Sequence, residues 1–268
     1  MTVPDPNRTT DGELEYTGLM ARAWDPLRGD TSGWEDRALF RALIEEIGGP
    51  VLDVGCGTGR LLLDFLSDGV DIDGVEISAD MLDLLRAKAA AAGLAVEGRI
   101  HEGSMEGMDL PRRYRLVLVP SSSFQLLVDA AAATEAMRRF HAALHPGGTL
   151  VMPWIDLEQD HPDGADDVFE DEATLPDGSV IRRWCRSWYD PATRLESTDD
   201  RYQLLRDGNV VAEERKVREP AVRGYARGAI EELHRGAGFA PPTFLSEFTR
   251  EPARGDERIV TSVARRPA

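Results

Sequence analysis

The stretch VLDVGCGTGRLLLDFL, residues 51–66, constrains the fold more than any other part of the chain. An apolar run carrying one acid, Asp53, ends at Gly55, and further glycines follow at Gly57 and Gly59. Glycines so spaced after a strand let the backbone turn tightly and bring N–H groups and a helix N-terminus against a ligand. The dinucleotide-binding fingerprint asks for glycine at the first, third and sixth positions. Counted from Gly55, the sixth position is Arg60, and the third glycine falls one residue early. An NAD(P)-dependent oxidoreductase is therefore the rival reading of this loop, not the leading one.

Periodicity around the loop predicts an ordered βα alternation. Residues 1–12 are expected to be disordered, with helices over about 13–24 and 34–47, the second stopped by Gly48-Gly49-Pro50. Strand and helix then alternate through DIDGVEIS, ADMLDLLRAKAAAAG, AVEGRIHEG, YRLVLVP, DAAATEAMRRFHAAL, the turn HPGG and TLVMPWI. Such alternation predicts an α/β, Rossmann-like, doubly wound and mostly parallel seven-stranded sheet with helices on both faces. After Ile155 the pattern changes to an acidic loop, DLEQDHPDGADD, and three long strands that read as an antiparallel insertion after the fifth strand. A helix near 226–237 and two final strands return the chain to the sheet. The expected organisation is an N-terminal tail and helical lid (1–34), a cofactor-binding core (35–155), the insertion (156–222), and a C-terminal helix with the last two core strands (223–268).

Charge and cysteine usage narrow the partners. With 48 acids against 31 Lys and Arg, the formal net charge of −17 opposes binding to a phosphate backbone, so no nucleic-acid partner is expected. Two cysteines are too few for a disulfide framework. No apolar run approaches the roughly 20 residues that span a bilayer, and the opening MTVPDPNRTTDGELEY does not read as a leader. These features predict a cytoplasmic protein with no membrane partner. No His/Cys spacing suggests a metal site.

Asp53 followed by G-x-G-x-G resembles motif I of the class I S-adenosylmethionine-dependent methyltransferases, of the small-molecule type. Further residues in the same order carry the resemblance: Glu76 at the end of the second strand, Gly103-Ser104-Met105 after the third, Pro120-Ser121-Ser122-Ser123-Phe124 after the fourth, and LHPGG before the fifth. It covers roughly residues 35–155. The resemblance implies S-adenosyl-L-methionine as cofactor, with Glu76 on the ribose hydroxyls, Ile77 on the adenine ring, and Gly103, Ser104 and Met105 beside the adenine edge. Many members carry Asp where this chain has Ser104, which leaves adenine recognition to a hydroxyl or a backbone acceptor. Asp53, Gly55, Cys56, Gly57, Gly59, Met81 and Pro120 complete the expected cofactor-binding set, and Tyr16, in a lid, is placed against the methionine part, with Trp24 and Trp34 as weaker candidates. Cys56 reads as a small filler and Met81 and Met105 as packing residues that also suit a flat ring.

The implied reaction is methyl transfer to an N or O atom of a small-molecule acceptor, with a non-catalytic or repurposed S-adenosylmethionine-binding protein as the alternative of a different class. Displacement at a sulfonium needs chiefly alignment and exclusion of water, and no catalytic base is assigned. Among the histidines, His161 in the acidic loop is placed where it could reach a substrate, but it reads first as a solvated loop residue. VPSSSF replaces the Asn/Asp-Pro-Pro-aromatic segment of amino-directed nucleic-acid methyltransferases. The insertion, with Trp184, Trp188, Tyr189 and Tyr202, is placed either to roof the acceptor pocket or to form a homodimer surface, its Asp-rich flanks favouring an amine-bearing acceptor.

Overall fold

The structure, a computed structural model, describes residues 16–161 and 166–268. The tail expected to be disordered lies outside the described residues. Helix α1 (Gly18–Arg28) begins five residues later than the sequence pattern suggests, and α2 (Glu35–Ile47) follows it. The alternation then runs β1 (Val51–Val54), α3 (Leu62–Ser67), β2 (Ile72–Glu76), α4 (Ala79–Ala92), β3 (Ile100–Glu102), β4 (Tyr114–Leu118), α5 (Ala130–Ala143) and β5 (Leu144–Ile155). A short helix α6 (Leu157–Asp160) leads to four strands: β6 (Asp167–Thr174), β7 (Val180–Asp190), β8 (Leu195–Arg206) and β9 (Asn209–Arg223). Helix α7 (Arg227–Gly236) and strands β10 (Thr243–Ser246) and β11 (Ile259–Arg265) close the chain.

The main sheet has seven strands in the order β10-β11-β5-β4-β1-β2-β3. The five strands from β5 to β3 pair in parallel, and β11 is antiparallel to both β5 and β10. Period-two alternation sorts neighbouring residues to opposite faces. Val51, Leu116, Leu118 and Val151 pack with Phe40, Leu43 and Phe65, while Leu52, Val54, Val117 and Val119 pack with Met137, Phe140 and Trp154. Burying side chains of this size stabilises by about 1.5–3 kcal/mol each, and because both faces are buried the strands read as continuous apolar runs. The strand order reverses between β1 and β4, which opens a crevice at their carboxyl ends.

Local chemistry explains the element ends. Ser78 caps α4 by accepting from Met81 N, and Gly93 ends it in the left-handed conformation. Asp129 caps α5 in the same way, accepting from Ala132 N. The third strand is shorter than predicted because residues 96–99 turn: Arg99 N donates to Val96 O and Gly98 has φ +73°. His145–Gly148 is drawn into β5 as an irregular stretch, since Gly147 N donates to Arg266 O and Gly148 O accepts from Arg266 N.

The insertion is a separate four-stranded antiparallel sheet in the order β6-β7-β8-β9. Its first strand replaces part of a stretch predicted as a connection, and the acidic loop contains α6. Helix α1 packs Leu19, Met20 and Ala23 on Ile181, Tyr202 and Leu204 of this sheet. Among the described residues, no helix is long and apolar enough to cross a membrane, and no cluster of His, Cys, Asp and Glu could hold a metal ion.

Candidate active site

A cavity of about 440 Å3 occupies the crevice where the strand order reverses. One end is walled by Gly55 and Gly57 after β1, Glu76 and Ile77 at the end of β2, Met81 on α4, and Gly103, Ser104 and Met105 after β3, with Tyr16 and Trp24 closing over it. Gly55 and Gly57 both have positive φ, +70° and +54°, which the turn requires and which a side chain would strain. Gly57 N donates to Glu76 Oε2 at 3.0 Å, and Ser78 N donates to Glu76 Oε1 at 2.9 Å. The carboxylate is thus held rigidly by two backbone donors, with a second lone pair on each oxygen still available. Burial pushes the Glu76 carboxyl up, against those backbone bonds. Ile77 is 38% exposed despite following a wholly buried strand, so its side chain forms an apolar shelf in the cavity wall. Tyr16 lies edge-on to Trp24, ring centroids 4.8 Å apart.

Asp53, Cys56, Gly59 and Pro120 do not line this cavity, and each has a structural reason for its place. Asp53 is buried at the end of β1 with Oδ1 unpartnered, and burial pushes its carboxyl up to about 7, against the pull of Arg60. Cys56 fills the space over Gly74, where a Cβ would sit 2.7 Å from Cys56 Sγ; burial raises its thiol well above the usual range. A Cβ on Gly59 would meet Leu63 and Leu85 at 2.8 and 2.9 Å, so this glycine serves the packing of α3 on α4. Pro120 presents its carbonyl to Ser123 N and Oγ, shaping the loop whose next three serines do face the cavity. Trp34 lies outside the cavity, under the Arg60 guanidinium.

The other end of the cavity is built from the loop after β4 and from elements beyond residue 148. Ser121 and Ser122 are successive residues with φ +55° and +57°, a costly conformation for non-glycine residues. Gln125 is fully buried and ties this loop to two strands: its Nε2 donates to Ile155 O and Arg223 O, and its Oε1 accepts from Ile155 N. The connection brings Ile155, Leu157 and Asp160 after β5, Glu196 of β8 and Val222 of β9 into one wall. Glu106 also lines the cavity, and its Oε2 is buried without a partner. His161 is not solvated as expected: it is 7% exposed, stacked on Tyr189, with Nε2 3.7 Å from Glu196 Oε2. The aromatic residues expected to face a pocket or pack do neither uniformly. Trp184 and Trp188 project with Arg182 and Arg186 from the outer face of β7, whereas Tyr189 of β7 and Tyr202 of β8 are buried on the inner face of the sheet. Strand alternation imposes that split once Ile181 and Cys185 face inward.

The cofactor implied by the motif fits what this end of the cavity offers. Glu76 can accept two further hydrogen bonds, Ile77 offers an apolar surface to a ring, and Cβ atoms are missing at Gly57 and Gly103, where one would meet nothing nearer than 4.0 and 3.8 Å. S-adenosylmethionine held here would supply an electrophilic methyl group on a sulfonium, and the chain's own part would be to hold it in line with an acceptor and keep water out.

Comparison with known proteins points the same way. A family model described as a methyltransferase domain matches residues 51–148. The dTDP-3-amino-3,6-dideoxy-alpha-D-glucopyranose N,N-dimethyltransferase of Streptomyces fradiae is 31% identical over 152 residues, 54% of this chain and 57% of that protein. The chain thus spans little more than half the length of that curated relative. Among solved structures, the CcbJ methyltransferase from Streptomyces caelestis is 26% identical, with a TM-score of 0.65 over 91% of this chain and 99% of that one. An S-adenosylmethionine-dependent methyltransferase from Clostridium acetobutylicum shares the fold at 17% identity, with a TM-score of 0.74 over 92% and 98% of the two chains. Over residues 51–148 the chain is thus similar to a methyltransferase domain, and the fold around that segment is shared with S-adenosylmethionine-dependent methyltransferases of known structure.

Proposed function

We propose that the protein transfers a methyl group from S-adenosylmethionine to the nitrogen of a small, amine-bearing acceptor. The observation that carries the reading is the charge of the cavity wall: Glu76, Glu106, Asp160 and Glu196 line it, and among the described residues no Lys or Arg does. Four carboxylates in one low-dielectric cleft attract an ammonium and repel phosphate. Glu76 and Ile77 take the ribose and adenine, Tyr16 closes over the methionine part, and the unpartnered Glu106 Oε2 accepts from the adenine amino group in place of an acid at Ser104. Ser104 is suited to a different task, since its hydroxyl already accepts from Gly107 N. The relative from Streptomyces fradiae carries an amine-bearing acceptor in its name. The same wall favours an amine without a nucleotide diphosphate attached.

The test is a transfer screen with methyl-labelled S-adenosylmethionine against small amines, matched alcohols and phenols, and a nucleotide-linked amino sugar. The reading expects label on nitrogen and faster turnover of the free amines. Transfer confined to hydroxyls would overturn it, and cofactor binding with no transfer to any acceptor would favour a repurposed binding protein.

A further inference from the structure

The pair His161–Glu196 lies outside every motif of the cofactor-binding core. Glu196 stands near the start of β8, and α6 turns the chain leaving β5 so that His161 is brought against it. The backbone N–H of His161 donates to Leu157 O, and its ring stacks on Tyr189 of β7 at 5.9 Å with the planes 19° apart. Its Nε2 lies 3.7 Å from Glu196 Oε2, and the two side chains are only 6% and 15% exposed. The neighbouring acid is occupied differently: Asp160 is bound through both oxygens by Arg258. Glu196 therefore reaches the cavity with a carboxylate backed by His161, and among the described residues it is not clamped through both oxygens as Asp160 is.

We propose that Glu196, positioned by His161, holds the acceptor nitrogen and takes its proton before methyl transfer. The inference rests on the amine-methylating reading above. An amine arriving as an ammonium has no lone pair to attack with, and a carboxylate beside it removes that obstacle. One proton passes from R–NH3+ to the Glu196 carboxylate, leaving R–NH2 and a neutral carboxyl. The nitrogen lone pair forms the N–C bond as the C–S bond breaks, its electron pair staying on sulfur as a neutral thioether. The product leaves as R–NH2CH3+, and Glu196 returns its proton to water. Burial raises the Glu196 carboxyl and adjacent Asp160 does the same, while His161 and Arg218 of β9 oppose them. A carboxyl raised in this way is a better proton acceptor than an exposed one.

The experiment compares kcat/KM as a function of pH for wild type, Glu196→Gln and His161→Gln, with S-adenosylmethionine affinity measured for each. The base must be ionised, so wild-type activity falls as pH drops and Glu196 protonates. Glu196→Gln should lose roughly 100-fold or more at neutral pH, keep its cofactor affinity within about threefold, and regain activity as pH approaches the acceptor amine's own pKa. His161→Gln removes a group that favours the ionised carboxylate and should move the acid limb to higher pH while sparing activity above it. A loss in Glu196→Gln that is uniform with pH, or no loss, overturns the proposal. If Glu196→Gln fails to fold, an acid limb unmoved in His161→Gln does so. Wild-type enzyme that methylates no amine defeats the underlying reading instead, which separates the two failures.

Discussion

At the scale of single residues, Glu76 and Asp53 are both buried acids at the carboxyl edge of the sheet, and they do different work. Glu76 is held by Gly57 N and Ser78 N with lone pairs to spare, so Glu76→Ala should weaken S-adenosylmethionine binding by roughly 1.5–3 kcal/mol through lost charge-assisted bonds. Calorimetric titration checks this, with circular dichroism to establish that the variant folds. Asp53 is reached by the Leu62 backbone N–H at the start of α3 and otherwise sits in a dry setting that lifts it to about 7. Its folded value is raised above the unfolded one, so its contribution to stability is fully present below about pH 4 and is lost as pH climbs through about 7. Asp53→Asn should therefore flatten the fall in stability between about pH 4 and 7, by an amount on the order of 4 kcal/mol at most. Denaturant unfolding at several pH values reads it, and parallel curves for the two proteins would refute it. Both acids were legible in the sequence because their spacing from the glycines is fixed by the βα turn. Glu106 and Glu196 were not: one follows Gly103-Ser104-Met105 at a position that the pattern does not specify, and the other reaches the cavity only through the pairing of β8 with β7 and β9.

At the scale of elements, α1 acts as a strap between the two sheets. Its first turn has N–H groups without helical partners, and carboxylates from opposite sides satisfy them: Asp80 accepts from Gly18 N at 2.7 Å and Glu214 from Leu19 N at 2.6 Å. Ser78 donates to Tyr16 O and Lys216 to Thr17 Oγ1, so the residues preceding the helix are fixed from both sides too. Asp80→Ala should speed amide exchange at residues 18–20 and loosen Tyr16, lowering S-adenosylmethionine affinity about threefold, or about 0.7 kcal/mol. Unchanged exchange would mean that the strap is held from the insertion side alone. The sequence pattern predicted a helix here, but the described helix starts at Gly18, because Thr17 is held extended before it. Strand β6, whose sequence is DVFEDEAT, was missed for another reason. Its side chains are mostly exposed at a sheet edge, so neither hydrophobic alternation nor β propensity marks it, and only pairing with β7 makes it a strand.

At the scale of the whole molecule, the parallel sheet supplies one end of the cavity and the inserted sheet, with the chain leaving β5, supplies the other. The mostly parallel seven-stranded sheet was legible because strand and helix patterns alternate along residues 51–155 and two final strands follow α7. How a second sheet lies over the first was not, because it depends on long-range contacts such as Gln125 to Ile155 and Arg223. The two ends should be separable by mutation. Val222→Phe adds volume beside Glu196 and is expected to raise the acceptor KM at least tenfold while leaving cofactor affinity within about threefold, about 0.7 kcal/mol. Steady-state kinetics and a binding titration on the same preparation check it, and equal loss at both ends would contradict the division. The central claim, that this crevice is a methyl-donor site and not a dinucleotide site, is tested most directly by one calorimetric experiment on the wild-type protein, titrating S-adenosylmethionine and then NAD into separate samples. Saturable single-site heat with S-adenosylmethionine and none with NAD is the predicted result; binding of NAD with no response to S-adenosylmethionine would contradict it.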